Sequence, residues 1–200
     1  LSLHGIQPII VERGQPVEVR GRHIGALFHR KLLNSDSNLC YGEGGAGTWS
    51  DGKLTTRIGK NGADVQQVFK TLTQFGAPLK ILIDNKPHLG TDKLVKILKS
   101  FRTFLEDRGT KFLFGHTVIN LCDEKQQMIG LKVISNENPN TSYNIESKCV
   151  VFAAGHSSRP LYKHIMEKGL KIEPKPIAVG FRVEHPQDTI NQMQYGKYSD

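Results

Sequence analysis

Gly44, Gly45 and Gly47, followed by Lys53 and Arg57, are the residues whose types and spacing point most directly to chemistry. They belong to residues 41–57 (YGEGGAGTWSDGKLTTR), which hold five glycines. Glycine has no Cβ, so such a loop can adopt positive φ and converge its N–H groups on an anion, a phosphate or the polar edge of a ring. Lys53 and Arg57 would add positive charge. The same glycines also read as a plain surface turn. A third reading is the phosphate loop of nucleotide hydrolases, G-x-x-x-x-G-K-[ST], which Gly47, Gly52 and Lys53 satisfy. It fails at Leu54, where the magnesium-holding hydroxyl would stand, and residues 38–41 (NLCY) make a poor buried strand before it.

The elements that must position this loop are legible in outline. Residues 1–4 resemble a last helical turn capped by Gly5, and residues 8–11 form a short apolar strand ending at Glu12. In a doubly wound dinucleotide fold, an acid at the end of the second strand accepts hydrogen bonds from ribose hydroxyls, about 20 residues beyond a glycine-rich phosphate turn. That turn would lie before residue 1. Taken alone, Glu12 reads equally as a surface carboxylate. Residues 63–75 carry Val65, Val68, Phe69 and Leu72 at helical spacing and stop at Gly76, Ala77 and Pro78. A second helix, capped by Thr91 or Asp92, runs to Arg108 with Leu94, Ile97, Leu98, Phe101 and Leu105 on one face. That stripe is core.

Residues 111–122, 128–135 and 143–154 are three strand-like segments joined by polar turns at 123–127 and 136–141, a β-meander. The third ends in the apolar run 149–154 (CVVFAA), suited to a strand buried on both faces. Gly155 breaks it, and Ser157 or Ser158 caps a helix over 159–168 with Leu161, Ile165 and Met166 inward. Ala154, Gly155 and His156 would thus stand where helix N–H groups can meet an anion, although His156 also reads as a turn residue. Residues 173–176 (EPKP) interrupt the chain before 177–184, where Val179, Phe181 and Val183 alternate with Ala178, Gly180, Arg182 and Glu184. A second domain is expected to start there.

Composition bounds the rest. Two hundred residues, 38% hydrophobic and 23% charged, suit one globular core or a domain plus the start of another. No apolar run approaches the roughly 20 residues of a membrane span, so no membrane partner is expected. Both ends, LSLHG and KYSD, read as cut from a longer chain. Three widely spaced cysteines suggest a reducing, intracellular compartment, with cytoplasm and organelle both open. The eight histidines show no metal-ligand spacing. The net charge of +8 is spread along the chain, which argues against a basic nucleic-acid-binding module while leaving RNA as an alternative partner.

Residues 8–14 (PIIVERG), 41–54, 86–92 (KPHLGTD), 151–158 (VFAAGHSS) and 173–186 (EPKPIAVGFRVEHP), in this order, resemble a family. It is that of the uncharacterised FAD-dependent, or NAD(FAD)-utilising, dehydrogenases within the glutathione-reductase-like flavoproteins. The resemblance implies an α/β fold: a Rossmann-type FAD/NAD(P)-binding domain with a β-meander over residues 1–170, a helical excursion near 60–90, and a substrate or cap domain beginning over 171–200. It implies FAD as cofactor, NAD(P)H as a further electron donor, and hydride transfer between flavin and an unknown small-molecule substrate. By the same resemblance Glu12 holds the adenosine ribose with Arg13 beside it, and Gly44, Gly45, Ala46 and Gly47 approach the flavin and pyrophosphate. Thr48, Gly52 and Lys53 lie nearby, Val118 meets the adenine, and Ala154 and Gly155 pack on the dinucleotide. Trp49, Ser50, Asp51, His156, Arg182 and His185 are candidates to touch substrate or flavin ring, and no catalytic residue is assigned. The family's G-x-G-x-x-G turn is not in the chain, so the 200 residues alone are expected to bind FAD weakly and to be inactive.

Overall fold

The computed structural model describes residues 1–50, 52–54, 62–84, 86–124 and 127–199, and it is a mixed α/β structure. Strand β1 (Ile9–Glu12) lies parallel to β2 (Lys111–Phe114), with Ile9 opposite Lys111 and Glu12 opposite Phe114. Parallel neighbours need a crossover, here an unusually long one. It carries α1 (Val17–Arg30), α2 (Ala63–Gln74), a 3₁₀ turn (Leu79–Leu82) and α3 (Thr91–Glu106). Strands β3 (His116–Glu124), β4 (Gln127–Ser135) and β5 (Ser142–Glu146) then form an antiparallel meander in the order β3-β4-β5. Helix α4 (Arg159–Glu167) follows. The chain divides into two compact units, Leu1–Ile165 and Met166–Asp200. The second contains α5 (Gln187–Tyr195), which starts after Pro186, a residue preset for a helix start.

The stripes on α2 and α3 do build a core. Phe69, Ala77, Ile81, Leu89 and Ile97 are buried together, with Leu54, Val65, Leu72 and Leu94 packed around them. Phe75 adds ring contacts to Phe101 and Phe104, centroids 4.4 and 5.1 Å away. In the meander Leu121 and Val133 are buried, and His164 of α4 accepts a hydrogen bond from the Leu121 amide at 3.3 Å.

Three sequence expectations need correction. The segment 111–122 is not one strand, because Gly115, at φ 65, divides it between the two sheets. Its amide donates to the Gly14 carbonyl at 2.8 Å and its own carbonyl accepts from Asn136, while a Cβ there would lie 2.9 Å from Gln15 Nε2. Only glycine meets both demands without strain. The third strand ends at Glu146, and the apolar run 149–154 is irregular, with Val151 and Phe152 exposed. The Ser147 hydroxyl donates to the Cys149 carbonyl and accepts from its amide, a local closure that competes with strand pairing. Among the described residues no strand lies beside the run to bury it. Likewise 177–184, whose apolar residues alternate, forms no strand among the described residues. Helix α1, which the sequence reading did not anticipate, is an addition.

Candidate functional site

The carboxyl end of β1 is where the chain turns away from the parallel pair, the position at which α/β folds bind ligands. Glu12 ends the strand, and one of its carboxylate oxygens accepts the Gly14 amide at 2.7 Å. Its other oxygen has no hydrogen bond among the described residues. Gly14 is pressed against the glycine-rich segment: a Cβ would strike the Gly42 Cα and lie 2.6 Å from the Asp36 carbonyl oxygen and 2.7 Å from the Gly42 nitrogen. Arg13 pairs with Asp36 at 2.7 Å, its guanidinium largely in solvent. Asn136, in the turn after β4, donates to the Arg13 carbonyl at 2.8 Å and accepts from the Thr117 hydroxyl at 2.7 Å. Residues from β1, the glycine-rich segment and the meander therefore converge here.

Arg20 fixes the approach to the glycines. Val17, Arg20 and Ile24 form the buried stripe of α1. The Arg20 guanidinium, fully buried, donates to the carbonyls of Asn38 (2.7 Å), Leu39 (2.8 Å), Glu43 (2.7 Å) and Gly42 (3.4 Å). One side chain thus reaches four carbonyls, of which only that of Gly42 has another donor among the described residues, the Gly45 amide. Glu43 answers from the other side. Its amide donates to the Gln15 carbonyl at 3.1 Å, and its carboxylate takes the Val17 amide at 2.7 Å, at the positive end of α1. Arg102 of α3 reaches both Glu43 (3.3 Å) and Glu18 (2.6 Å).

Beyond this anchored portion the loop opens. Gly44, at φ 80, has no room for a Cβ, which would strike Leu98 of α3 and the Thr48 hydroxyl. Residues 44–47 are exposed, and the amides of Gly44, Ala46 and Gly47 make no backbone hydrogen bond among the described residues. The Gly45 amide is spent on the Gly42 carbonyl at 2.9 Å, and Thr48 is buried. A Cβ at Gly45 or Gly47 would meet nothing within 4 Å. This is an anchored loop with three amides that have no backbone partner among the described residues and open space at Gly45 and Gly47, a geometry suited to an anion or a flat polar ligand.

The other candidates are placed as follows. Gly52 and Leu54 pair with Leu89 and Pro87, and Lys53 bridges His88 in antiparallel fashion. The glycine-lysine segment is therefore an edge pairing, not a phosphate loop leading into a helix. Trp49 lies against Gly21 of α1, where a Cβ would be 3.1 Å from its ring. Val118 sits in β3 opposite Val133, next to a bulge between Val118 and Asn120. Ala154, Gly155 and His156 are exposed; the Gly155 carbonyl accepts the Tyr162 hydroxyl at 2.7 Å, and no recorded contact among the described residues ties the three to Glu12 or the loop. Ser50 is exposed and donates to the Gly47 carbonyl at 2.9 Å, while Arg182 and His185 belong to the second unit. Asp51 and Arg57 lie outside the described residues. Arg20, Gly14, Arg102 and Asn136 complete the site and were not singled out from sequence. An arginine on the apolar stripe of α1 was the available signal for the first.

Burial raises the Glu43 carboxyl above the usual carboxylate range, with the Val17 amide and Arg102 opposing that rise. A carboxyl with a raised folded-state value stabilises the protein below its unfolded value and loses that contribution as pH climbs through the folded one. The expected outcome is that wild type gains stability relative to Glu43→Gln as pH falls from neutral into the carboxylate range. Urea titrations of both proteins across that window test it, and a pH-independent difference would contradict it.

No protein-family model matches the chain. Over 198 residues, 98% of its length, the chain is 36% identical to an uncharacterized protein of Clostridium beijerinckii, and it spans 35% of that protein's length. Among solved structures, the crystal structure of Thermovibrio ammonificans THI4 is similar at a TM-score of 0.48 and 16% identity, covering 82% of this chain and 63% of that one. Among the described residues no helix is long and apolar enough to cross a membrane.

Proposed function

We propose that this chain is part of an FAD-dependent oxidoreductase and supplies half of the grip on the dinucleotide, within a Rossmann-type domain. One observation carries the reading: the acid at the carboxyl end of β1 and the glycine-rich loop are locked together through the Gly14–Gly42 contact. Glu12 keeps one carboxylate oxygen available for a ribose hydroxyl, and its other oxygen is fixed by the Gly14 amide. Arg13, held by Asp36, presents a cation beside it. The amides of Gly44, Ala46 and Gly47, which have no backbone partner among the described residues, would donate to pyrophosphate or ring oxygens, and the bare surface at Gly45 and Gly47 leaves room for a planar ring. Bound flavin would supply hydride transfer, with an unidentified small molecule or NAD(P)H as the other party. The protein's part is orientation and charge: N–H donors stabilise negative charge on a bound group, and the Arg20 clamp keeps them from collapsing. Val118, Ala154, Gly155 and His156 complete the proposed set along the dinucleotide, with Thr48, Gly52 and Lys53 shaping the loop's far side.

The phosphate-loop reading loses support from the pairing of residues 52–54 with 87–89. The test is flavin absorbance in the complete polypeptide after purification, with wild type compared to Gly47→Val. Gly47 has open space around it, so the substitution is expected to change folding stability by less than about 0.5 kcal/mol. Flavin content is expected to fall at least tenfold, because the new methyl groups occupy the ligand's space. A wild-type protein that stays colourless with added FAD, or a variant that retains flavin, would refute the proposal.

A further inference from the structure

Thr91, Leu94, Leu98 and Arg102 follow one another along α3 at steps of three and four residues, the spacing of a single helical face. Each meets the glycine-rich segment, from its far end back to its anchor. The Thr91 hydroxyl donates to the Ser50 carbonyl at 3.0 Å, and Leu94 lies 2.8 Å from where a Gly52 Cβ would stand. Leu98 closes on Gly44 in the same way. Arg102, whose side chain is 13% exposed, ends the row: Nη1 reaches Glu43 at 3.3 Å, Nη2 donates to Glu18 at 2.6 Å, and the guanidinium stands 5.5 Å from the centre of the Phe114 ring in β2. The helix carrying the row is itself held, with Ile97 buried beside Phe69 and Ile81.

Glu43 directly precedes Gly44. Its amide donates to Gln15, its carbonyl accepts from Arg20 and its carboxylate takes the Val17 amide, so these three partners all lie within residues 15–20. Arg102 is the partner that ties it to α3. We infer that Arg102 is a positioning residue: by fixing the Glu43 carboxylate against α3, it sets where the amides of Gly44, Ala46 and Gly47 stand to meet a ligand that it does not itself touch. The consequence for ligand binding rests on the flavin reading, whereas the effect on the loop does not. Lysine would keep the charge but offers one nitrogen in place of a planar fork, and so cannot hold Glu43 and Glu18 together in this geometry.

Amide hydrogen exchange and FAD titration of the complete polypeptide test it, with wild type compared to Arg102→Lys and Glu18→Gln. Without FAD, Arg102→Lys is expected to speed exchange of the hydrogen-bonded Glu43 and Gly45 amides by about tenfold or more, and Glu18→Gln, at the more exposed end of the fork, by less. Amides of the β3–β4 pair keep the wild-type rate. The FAD dissociation constant is expected to rise about fivefold or more in Arg102→Lys, because displaced amides no longer match the ligand. Unchanged exchange at Glu43 and Gly45 overturns the inference. So does acceleration shared equally by the β3–β4 pair, which identifies a general loss of stability, and so does a loosened loop with an unchanged FAD dissociation constant. If Arg102→Lys fails to fold, Glu18→Gln decides by the same comparison. A wild-type protein that does not bind FAD refutes the flavin reading, and the exchange pattern then decides alone whether Arg102 fixes the loop.

Discussion

Arg20→Met is expected to lower the unfolding free energy by about 3–5 kcal/mol, the range seen when one member of a buried charged network is removed. Methionine fills similar volume but leaves the carbonyls of Asn38, Leu39 and Glu43 without their donor, while Gly42 keeps the Gly45 amide. A buried acceptor stripped of its partner costs about 1–3 kcal/mol, and the three share one segment, so the losses do not simply add. The guanidinium itself is held below its ordinary value by burial, opposed by Glu12, Cys40 and Glu43, yet remains charged at neutral pH because its starting value is so high. Arg20→Lys should recover only part of the loss, since one ammonium cannot reach four acceptors in a planar fork. Urea titration of the three proteins measures the order wild type, lysine, methionine. A methionine variant within 1 kcal/mol of wild type would show the clamp to be dispensable.

Gly14→Ala is expected to cost about 3 kcal/mol, at the upper end of overpacking penalties. The new methyl would face the Asp36 carbonyl oxygen, the Gly42 nitrogen and the Gly42 Cα, all main-chain atoms with no rotamer to yield. Gly25→Ala provides a control of opposite sign. It lies inside α1 with nothing within 4 Å of the added methyl, so alanine should stabilise by about 0.5–1 kcal/mol through helix preference. Thermal melts of both variants check the pair. If the two alanines behave alike, steric closure at Gly14 is not what joins β1 to the loop.

The contrast between these glycines shows what could be read from sequence and what could not. The stripes of α2 and α3 were legible because their apolar residues repeat at 3.6-residue spacing and bury against each other. Helix α1 was obscured by its own composition: Val17, Val19, Gly21 and Gly25 all have modest helix preference. Packing overrides preference there, since Gly21 is where Trp49 rests and Arg20 is where the loop carbonyls end. The break at Gly115 was invisible because residues 111–122 read as one apolar segment, and only the Gly14 carbonyl and Asn136, distant in sequence, require the turn. Residues 149–154 show the converse error. Their hydrophobicity describes a strand with neighbours on both sides, and pattern alone does not supply neighbours. For the site, Glu12 and the glycines were visible as residue types, but their juxtaposition depends on Gly14 and Arg20, whose roles arise only in three dimensions.

The register of the two sheets also orders their assembly. Each strand of the meander pairs with the next strand in sequence, Glu124 opposite Gln127 and Ile134 opposite Ser142. Ile9 must wait for Lys111, about a hundred residues later, and loop closure over that span is entropically far more demanding. On a ribosome β1 therefore emerges well before β2, and this pairing must wait until the whole helical crossover has been made. Until then the side of β1 that will meet β2 has no partner from it, the kind of open strand edge that chaperones shield.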